Sequence, residues 1–229
     1  MALCGEGAIC IWNGITDEGR TEFYAWHNGE HMPERVGIPG FRRGRRYIAC
    51  DEARPEFFTL YELDSPQVFL AQDYLNRLDS PTPWTRRATA AFRDTSRALT
   101  RVHASLGPGS GGIIATLRFA PSPEMGAELR DVLAAEMLPR LVLDSQVTGA
   151  HLCLTDVGAS EVRTAESRDR TDIGAPPGVV VLIEGCNPEP VAAAAERCLA
   201  RITGLAEAPS AWGLYRLEYT RLKTAGAPG

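Results

Sequence analysis

Residues 29–36 read GEHMPERV, and residues 135–142 read AEMLPRLV. The two stretches share a glutamate at their second position and a proline at their fifth, but His31 in the first corresponds to Met137 in the second. Each stretch follows a segment with helical spacing and precedes a run of strand formers. The chain therefore contains an internal repeat, in which one copy of this position is polar and the other is apolar.

The elements on either side of these stretches follow the same order twice. The predicted elements of the first half are strand 8–14, helix 17–35, strands 42–51 and 56–63, helix 65–78 and strand 96–106. Those of the second half are strand 112–120, helix 122–143, strands 146–156 and 178–185, helix 188–205 and strand 211–222. Some of the helices open with serine and proline, because proline suits the first helical position. The order βαββαβ, given twice, predicts an α+β chain of two tandem ferredoxin-like units.

Glycine and proline interrupt the middle of the chain at GPGSGG, residues 107–112, and this composition is typical of a linker. We therefore place the first ferredoxin-like unit, which carries the polar motif, at residues 1–108. A degenerate second unit follows at residues 109–229. Within it, the stretch 157–177 is polar and charged, which predicts an exposed, mobile loop between two strands.

Helices on one side of each sheet leave a second face to be covered. Along the predicted strands, apolar side chains alternate with a mixed set that includes ionisable groups. If the two mixed faces pack together, they line a shared cleft with His103, His151, Arg101, Arg216 and Glu218. The alternative is that these side chains lie at exposed strand ends, since the period alone does not fix the register.

Charge and cysteine content exclude several classes of function. The net charge of −5 argues against nucleic acid as a partner, because phosphate binding requires a clustered basic surface. The six cysteines are scattered without a CxxC pair, which indicates reduced thiols. The N-terminus lacks the basic region of a signal peptide, and no apolar run approaches the roughly 20 residues that span a bilayer. These features predict a cytoplasmic protein without a membrane partner.

The segment HNGEH, residues 27–31, first suggests a metal site. It matches the HxxEH pattern, in which two histidines one helical turn apart bind zinc. Against a metal site, Gly29 and Pro33 weaken the helix that would have to hold the two rings. A second interpretation is a solvated helix end, where the helix dipole favours histidine near the C-terminus.

The third interpretation is an acid/base site. His31 beside Glu30 supplies a proton carrier and an orienting carboxylate. Trp26 and Tyr24 add an aromatic wall for a planar substrate, and the arginine cluster at 42–46 can neutralise an anion. The replacement of His31 in the second half favours this interpretation, because a solvated helix end gives no reason for the asymmetry.

The stretch YAWHNGEHMPERVGIPGFRRGRRY, residues 24–47, resembles the EthD-like branch of the dimeric α/β-barrel superfamily. The resemblance covers the first half well, and the second half shares mainly the element order. It implies that the two units pair through their antiparallel sheets into one intrachain α/β barrel, with a ligand cleft between sheet and helices. Members of the superfamily include isomerases, cyclases, decarboxylases, cofactor-free monooxygenases and haem enzymes. The recurrent EH motif carries over to Glu30 and His31, with Trp26 and Tyr47 as neighbours.

These observations predict a cofactor-independent enzyme that acts on an oxygenated, anionic or aromatic metabolite as an isomerase, lyase or cyclase. His31 is the expected general acid/base, and Glu30 is expected to hold its tautomer or share its proton. Trp26, Tyr24 and Tyr47 are expected to shape the pocket. The residues expected to neutralise a carboxylate or enolate are Arg43, Arg45 and Arg46.

Two other functions stay open at this point. A metabolite- or haem-binding stress-response module would use His31, His103 or His151 as an axial ligand, although a CxxCH motif is absent. A metal-dependent oxygenase or hydrolase would use His27 and His31. Nucleotide-binding and serine-hydrolase motifs are absent. The expected partner is a small molecule, and the expected assembly is a monomer with an internal pseudo-dimer or a homodimer of it.

Overall fold

The computed structural model describes residues 2–51, 55–168, 170–202 and 211–224, apart from the side chains of residues 123 and 124. The described residues form eight strands. They are β1 (Gly7–Ile15), β2 (Phe41–Ala49), β3 (Phe57–Leu63), β4 (Phe92–Leu106), β5 (Ile113–Phe119), β6 (Val147–Thr155), β7 (Val179–Gly185) and β8 (Ala211–Leu222). The predicted boundary between the units falls in the connection from β4 to β5.

The helices lie between these strands in the predicted order, with additions. They are α1 (Arg20–Trp26), α2 (Met32–Gly37), α3 (Gln72–Asp79), α4 (Pro83–Thr89), α5 (Pro123–Val132), α6 (Leu138–Leu141), α7 (Val157–Glu161) and α8 (Pro188–Ile202). A π-helical turn joins α1 to α2 at His27–His31, and another joins α5 to α6 at Leu133–Met137. The predicted end of the last helix at residue 205 lies outside the described residues. No helix among the described residues has the length and apolar character needed to cross a bilayer.

The strands close into one barrel in the order β1-β3-β2-β8-β5-β7-β6-β4, and every neighbouring pair is antiparallel. Each half contributes four consecutive strands in the same internal order. The halves meet where β2 pairs with β8 and where β4 pairs with β6. The predicted α+β barrel of two paired ferredoxin-like sheets is therefore confirmed.

The interior of the barrel is filled by side chains from both halves. Trp12 stacks on Phe58 with ring centroids 5.1 Å apart, and its indole Nε1 donates a hydrogen bond to the Thr116 hydroxyl across the barrel (3.1 Å). Tyr47 and Tyr215 belong to the same buried cluster. Separate apolar clusters lie under the helices on the outer face of each half. Large side chains therefore occupy the interior of the barrel.

The prediction of one helix over 65–78 is wrong in detail. Residues Pro66–Leu70 form a 3-10 turn, and the extended backbone of Ala71 separates that turn from α3. The prediction also missed α4, although its start is encoded locally. Thr82 precedes Pro83, and the Thr82 hydroxyl accepts a hydrogen bond from the backbone N–H of Thr85 (2.9 Å), as an N-cap does.

The two π-helical turns occupy the repeated motif with which the halves were aligned. In the first, the Met32 N–H donates to the carbonyl of His27, five residues back, instead of four. The second half has the same bond from Leu138 to Leu133. Pro33 follows Met32 directly, and its counterpart Pro139 follows Leu138 in the second half. A proline ring clashes with the carbonyl four residues earlier in an α-helix, and a widened turn relieves that clash.

The connection from β6 to β7, predicted as an exposed and mobile loop at 157–177, is packed against the first half. We call residues 156–176 the cover segment; residue 169 within it is not described. Thr164 and Ser167 of the cover segment are only 4% and 8% exposed. The prediction of exposure was wrong for these residues because their polar groups bond to protein rather than to water, which composition does not reveal; other residues of the segment are exposed, as predicted.

The cover segment attaches to an edge of β4 that β6 leaves free. The Asp156 N–H donates to the carbonyl of Leu99 (2.8 Å), and the Thr95 N–H donates to the carbonyl of Asp172 (2.9 Å). The Ser160 hydroxyl accepts a hydrogen bond from the Leu99 N–H (3.0 Å). A segment of the second half is thereby fixed over the helices and sheet of the first.

Candidate active site

A cavity of about 250 Å³ lies between the outer face of the first half and the cover segment. Ile11 of β1 and Arg97 of β4 form its floor on the sheet side. Trp26 and His31 contribute from the helix, and Phe92 adds a further aromatic wall. The cavity is therefore built by both halves, although its helix and sheet walls belong to the first.

The π-helical turn brings three rings together at the edge of this cavity. The Trp26 and His31 rings lie 4.3 Å apart between centroids at an interplanar angle of 36°, and the His27 and His31 rings stack at 5.4 Å and 30°. The wider turn aligns residues four and five positions apart more closely than an α-helix does. The orientation of the His31 imidazole is therefore fixed by stacking on both neighbours.

The imidazole of His31 lines the cavity, and its Nδ1 is buried without a hydrogen-bond partner among the described residues. Burial lowers the pKa of His31 well below 6.5, and the nearby Arg35 and His27 lower it further. His31 is therefore a neutral imidazole at neutral pH, and its ring forms part of the cavity wall.

The ring of His27 is held by the guanidinium of Arg46. Arg46 Nη1 lies 3.1 Å from His27 Nδ1, and since the guanidinium only donates, the ring proton of His27 is on Nε2. Burial and then Arg46 lower the pKa of His27. Arg46 also donates to Asn28 Oδ1 (2.7 Å) and to Glu218 (3.1 Å). With His27 Nδ1 occupied and the two rings stacked, the pair does not converge on a common metal position.

Metal binding has no further support in the described part of the chain. There, no group of three or more histidine, cysteine, aspartate or glutamate side chains could hold a metal ion. The structure therefore offers no chelating set to accompany His27 and His31.

Glu30 supports Trp26 rather than His31. Its Oε1 accepts hydrogen bonds from the Trp26 indole (3.1 Å) and from the hydroxyls of Thr82 (2.7 Å) and Thr85 (3.1 Å). None of the hydrogen bonds of Glu30 within the described residues reaches His31. The carboxylate thus ties the π-helical turn to the start of α4, and it acts on His31 only through the tryptophan that stacks on it.

Removing the Glu30 carboxylate is expected to destabilise the fold. The Glu30→Ala change leaves polar groups around Trp26 without their acceptor, which should lower the free energy of unfolding by about 1–3 kcal/mol. Glu136→Ala is the matched control, because among the described residues Glu136 pairs with the exposed Arg201 (2.8 Å), and this substitution should change the free energy of unfolding by less than about 1 kcal/mol. Urea denaturation measures both values. Equal losses for the two variants would contradict the supporting role of Glu30.

Four of the residues predicted to bind substrate lie inside the barrel instead of at this cavity. Arg45 donates to Glu62 (3.0 Å) and to Glu184 (2.7 Å), and both carboxylates are buried. The three others are Arg43, Tyr47 and His151. Arg43 also pairs with Glu62, Tyr47 belongs to the buried cluster inside the barrel, and His151 Nε2 lies 3.3 Å from Glu184. Successive residues of a strand face opposite sides, so Arg45 and Arg46 cannot share one pocket.

The remaining predicted residues are divided between the outer face and solvent. The Tyr24 hydroxyl donates a hydrogen bond to Glu218 (3.0 Å), and the Arg46 guanidinium lies 4.7 Å from the centre of the Tyr24 ring. Both residues lie beside the cavity and are not part of its lining. His103 is exposed on β4. Of the ionisable groups expected in a shared cleft, His151 alone is enclosed between the halves. Only Trp26 and His31 of the predicted substrate and catalytic residues line the cavity.

Sequence reasoning missed the polar residues that do line the cavity opposite His31. Arg97 lies on β4, and Arg163 and Arg170 come from the cover segment. Arg170 is neutralised by Asp172 (2.6 Å), and it also donates to the Thr95 hydroxyl (2.7 Å). The signal for Arg97 was its position two residues from the helix-facing Leu99, which places both on one face. No local signal identifies the cover segment as part of a site in the other half.

The second half fills the equivalent position with apolar side chains. Leu133 and Met137 correspond to His27 and His31, and both are buried in the core of that half. The same π-helical turn therefore supports a polar cavity in one unit and ordinary packing in the other.

No protein-family model matches the chain, and no curated protein matches it. Solved structures do resemble it. One is an anthrone oxidase-like protein, at 12% identity and a TM-score of 0.61, covering 97% of this chain and 96% of that one. Another is named "Putative monooxygenase", from Fusobacterium nucleatum, at 9% identity and a TM-score of 0.54, covering 96% of each chain.

A third solved structure is a haem-binding protein from Thermus thermophilus, at 9% identity and a TM-score of 0.53, covering 93% of this chain and 91% of that one. At such low identity, these similarities bear on the fold and leave the chemistry open. The chain thus shares the dimeric α/β-barrel fold of these proteins, with both ferredoxin-like units in a single polypeptide.

Proposed function

We propose that the cavity under the cover segment is the active site of a small-molecule enzyme, in which His31 removes a proton from a carbon acid. The observation that carries this proposal is the state of His31. It is a buried, neutral imidazole whose ring lines the cavity and packs against the rings of Trp26 and His27. A base that is neutral and immobile before the substrate arrives needs no further reorganisation to accept a proton.

The proposed reaction begins at a carbon next to a carbonyl group. The C–H bond breaks, the proton passes to His31 Nε2, and the electron pair moves to the carbonyl oxygen to give an enolate. Arg97, which lines the same cavity, supplies positive charge in its vicinity. Return of the proton to another carbon gives an isomer, loss of a neighbouring group gives a lyase product, and attack on a second carbonyl gives a ring.

The same enolate can react with dioxygen, which links proton removal by His31 to oxygenase chemistry. The names of two structural neighbours, an anthrone oxidase-like protein and a monooxygenase, support including this outcome, as does the resemblance of residues 24–47 to the EthD-like branch. Anthrone is itself a carbon acid. The proton transfer common to all these reactions is therefore the step to test first.

Solvent exchange tests the proposal without knowledge of the natural product. The full chain is incubated in D₂O with a panel of enolisable aryl ketones, with and without a carboxylate, and with anthrone. NMR measures deuterium incorporation at the acidic carbon, and an oxygen electrode measures dioxygen uptake. We expect catalysed exchange for at least one member. Exchange at the uncatalysed rate across the whole panel would count against a carbon-acid substrate.

The pH dependence of this exchange follows from the lowered pKa of His31. A base acts in its deprotonated form, so lowering its pKa below 6.5 moves the acid limb of kcat/KM to lower pH. We expect the rate to be constant at about pH 7 and to fall only well below pH 6.5. Circular dichroism at each pH confirms that the fold is intact. An acid limb centred at or above pH 6.5 would show that another group controls the reaction.

A haem does not fit the residues present. The cavity of about 250 Å³ is at or below the roughly 300–1,000 Å³ typical of pockets for drug-sized ligands, and a haem is larger than most such ligands. His103 is exposed, and His151 is enclosed in the barrel beside Glu184 and Ser105. A stoichiometric Soret band after titration with hemin would revive the haem-binding alternative.

A further inference from the structure

The charge of Arg97 is not matched by a carboxylate in the described part of the chain. Its side chain is half-buried in the cavity wall on β4. The guanidinium donates a long hydrogen bond to the carbonyl of Ser160 (3.4 Å), and no described carboxylate forms an ion pair with it. A half-buried guanidinium with unused donors is a ready partner for an anionic oxygen group.

Arg163 of the cover segment lines the same cavity and is exposed, and its charge is likewise not matched by a described carboxylate. It donates to the carbonyls of Ser167 (3.3 Å) and Arg170 (3.5 Å), both neutral acceptors, and it forms no ion pair with a described carboxylate. Two carboxylates also line the cavity. Glu166 is bound by Arg35, and Glu161 is exposed at the end of α7, so Arg97 and Arg163 together still leave a net positive charge.

Several other arginines that are enclosed in the described part of the chain pair with carboxylates. Arg35 pairs with Glu166, Arg46 pairs with Glu218, and Arg45 is bound by two carboxylates. Arg170, which lines the cavity as well, is neutralised by Asp172. Burial of a charge is unfavourable unless it is paired. Arg97 therefore stands apart from these other cations.

We infer that Arg97 and Arg163 form an anion-binding subsite, and that the substrate carries a carboxylate or a similar small anionic group in addition to its acidic carbon. The placing of the acidic carbon rests on the proposed function, but the anion subsite is independent of His31. One cation comes from the first half and one from the second. The subsite is complete only when the cover segment lies on β4.

The test compares benzoate with benzamide, which has nearly the same shape and no charge. Each is titrated into the full chain, and calorimetry measures the dissociation constant. We expect benzoate to bind at least about tenfold more tightly, because hydrogen bonds to charged groups contribute more than neutral ones. The Arg97→Gln variant should lose that preference, and Arg97→Lys should keep part of it. Arg101→Gln is the control, since Arg101 is exposed on the same strand and outside the cavity lining.

The His31→Gln variant separates this inference from the proposed function. If it keeps the preference for benzoate but loses deuterium exchange, both the subsite and the base are supported. If it keeps exchange while Arg97→Gln loses the preference, the base fails and the subsite stands. Equal binding of the two probes by the wild type, no binding of benzoate, or an unchanged preference in a folded Arg97→Gln variant overturns the subsite. Thermal melting shows which variants are folded.

Discussion

The His31→Gln variant is expected to lose most of the catalysed deuterium exchange, with kcat/KM reduced by a factor of about 10² to 10⁴. Glutamine keeps a polar side chain of similar size at this position but cannot accept a proton at neutral pH. The ring lies against Trp26 and His27, so the substitution leaves the cavity wall largely in place. Exchange kinetics at neutral pH and a thermal melt of the same sample measure the two effects separately.

The matched control for this variant is His103→Gln. His103 is exposed on β4, outside the cavity lining, so we expect its exchange rate to equal that of the wild type. Undiminished exchange in a folded His31→Gln protein would remove His31 from the mechanism. It would leave the fold and the cavity as described.

The largest loss of stability is expected from Arg45→Met, which removes the cation at the centre of the barrel. Arg45 and its partners Glu62 and Glu184 are almost fully buried. Burial alone would raise the pKa of Glu184, but His151 and Arg45 outweigh it and hold that pKa at about 2. Removing one member of a buried ion pair leaves an uncompensated charge, so we expect the free energy of unfolding to fall by about 3–5 kcal/mol.

Arg42→Met is the control for this prediction because it makes the same change on the same strand. Arg42 pairs with Asp64, and both side chains are exposed. Such pairs contribute about 0–1 kcal/mol, so its unfolding curve should nearly overlay that of the wild type. Urea denaturation followed by tryptophan fluorescence measures both variants. A loss below about 1 kcal/mol for Arg45→Met would mean that the barrel interior tolerates the unpaired carboxylates better than their burial suggests.

This ion network also explains why the interior of the barrel is not the candidate site. Arg45 of the first half binds Glu184 of the second, and Trp12 bonds to Thr116 across the same space. Of the ionisable groups that suggested a cleft between the halves, only His151 lies inside the barrel, and it lies beside Glu184. The cavity lies on the outer face of the sheet, where the cover segment lies over it in place of solvent.

Much of the architecture was predictable because it is encoded locally and twice. The alternation of strand and helix signals predicted the βαββαβ order, and the match of GEHMPERV with AEMLPRLV located equivalent helix ends. The proline at the fifth position of each stretch is also the residue that favours the widened turn. The correspondence of His31 with Met137 in the repeat distinguishes a polar unit from an apolar one at the level of sequence.

The membership of the site was much less predictable. Arg43, Arg45 and Arg46 are adjacent or nearly adjacent in sequence, but strand alternation sends Arg45 and Arg46 to opposite faces. Which face becomes the interior depends on closure of the barrel by β2 with β8 and by β4 with β6. Glu30 neighbours His31 in sequence, but its carboxylate bonds to α4.

The amino-acid sequence by itself determined the duplication, the order of elements and the presence of one imidazole where the repeat has a thioether, because propensity and periodicity act over a few neighbouring residues. Tertiary structure alone decided which arginines meet that imidazole and which segment covers it. Arg97 and the cover segment are brought to His31 by contacts between residues far apart in the chain. Such contacts depend on barrel closure and on a free strand edge, which no local pattern records.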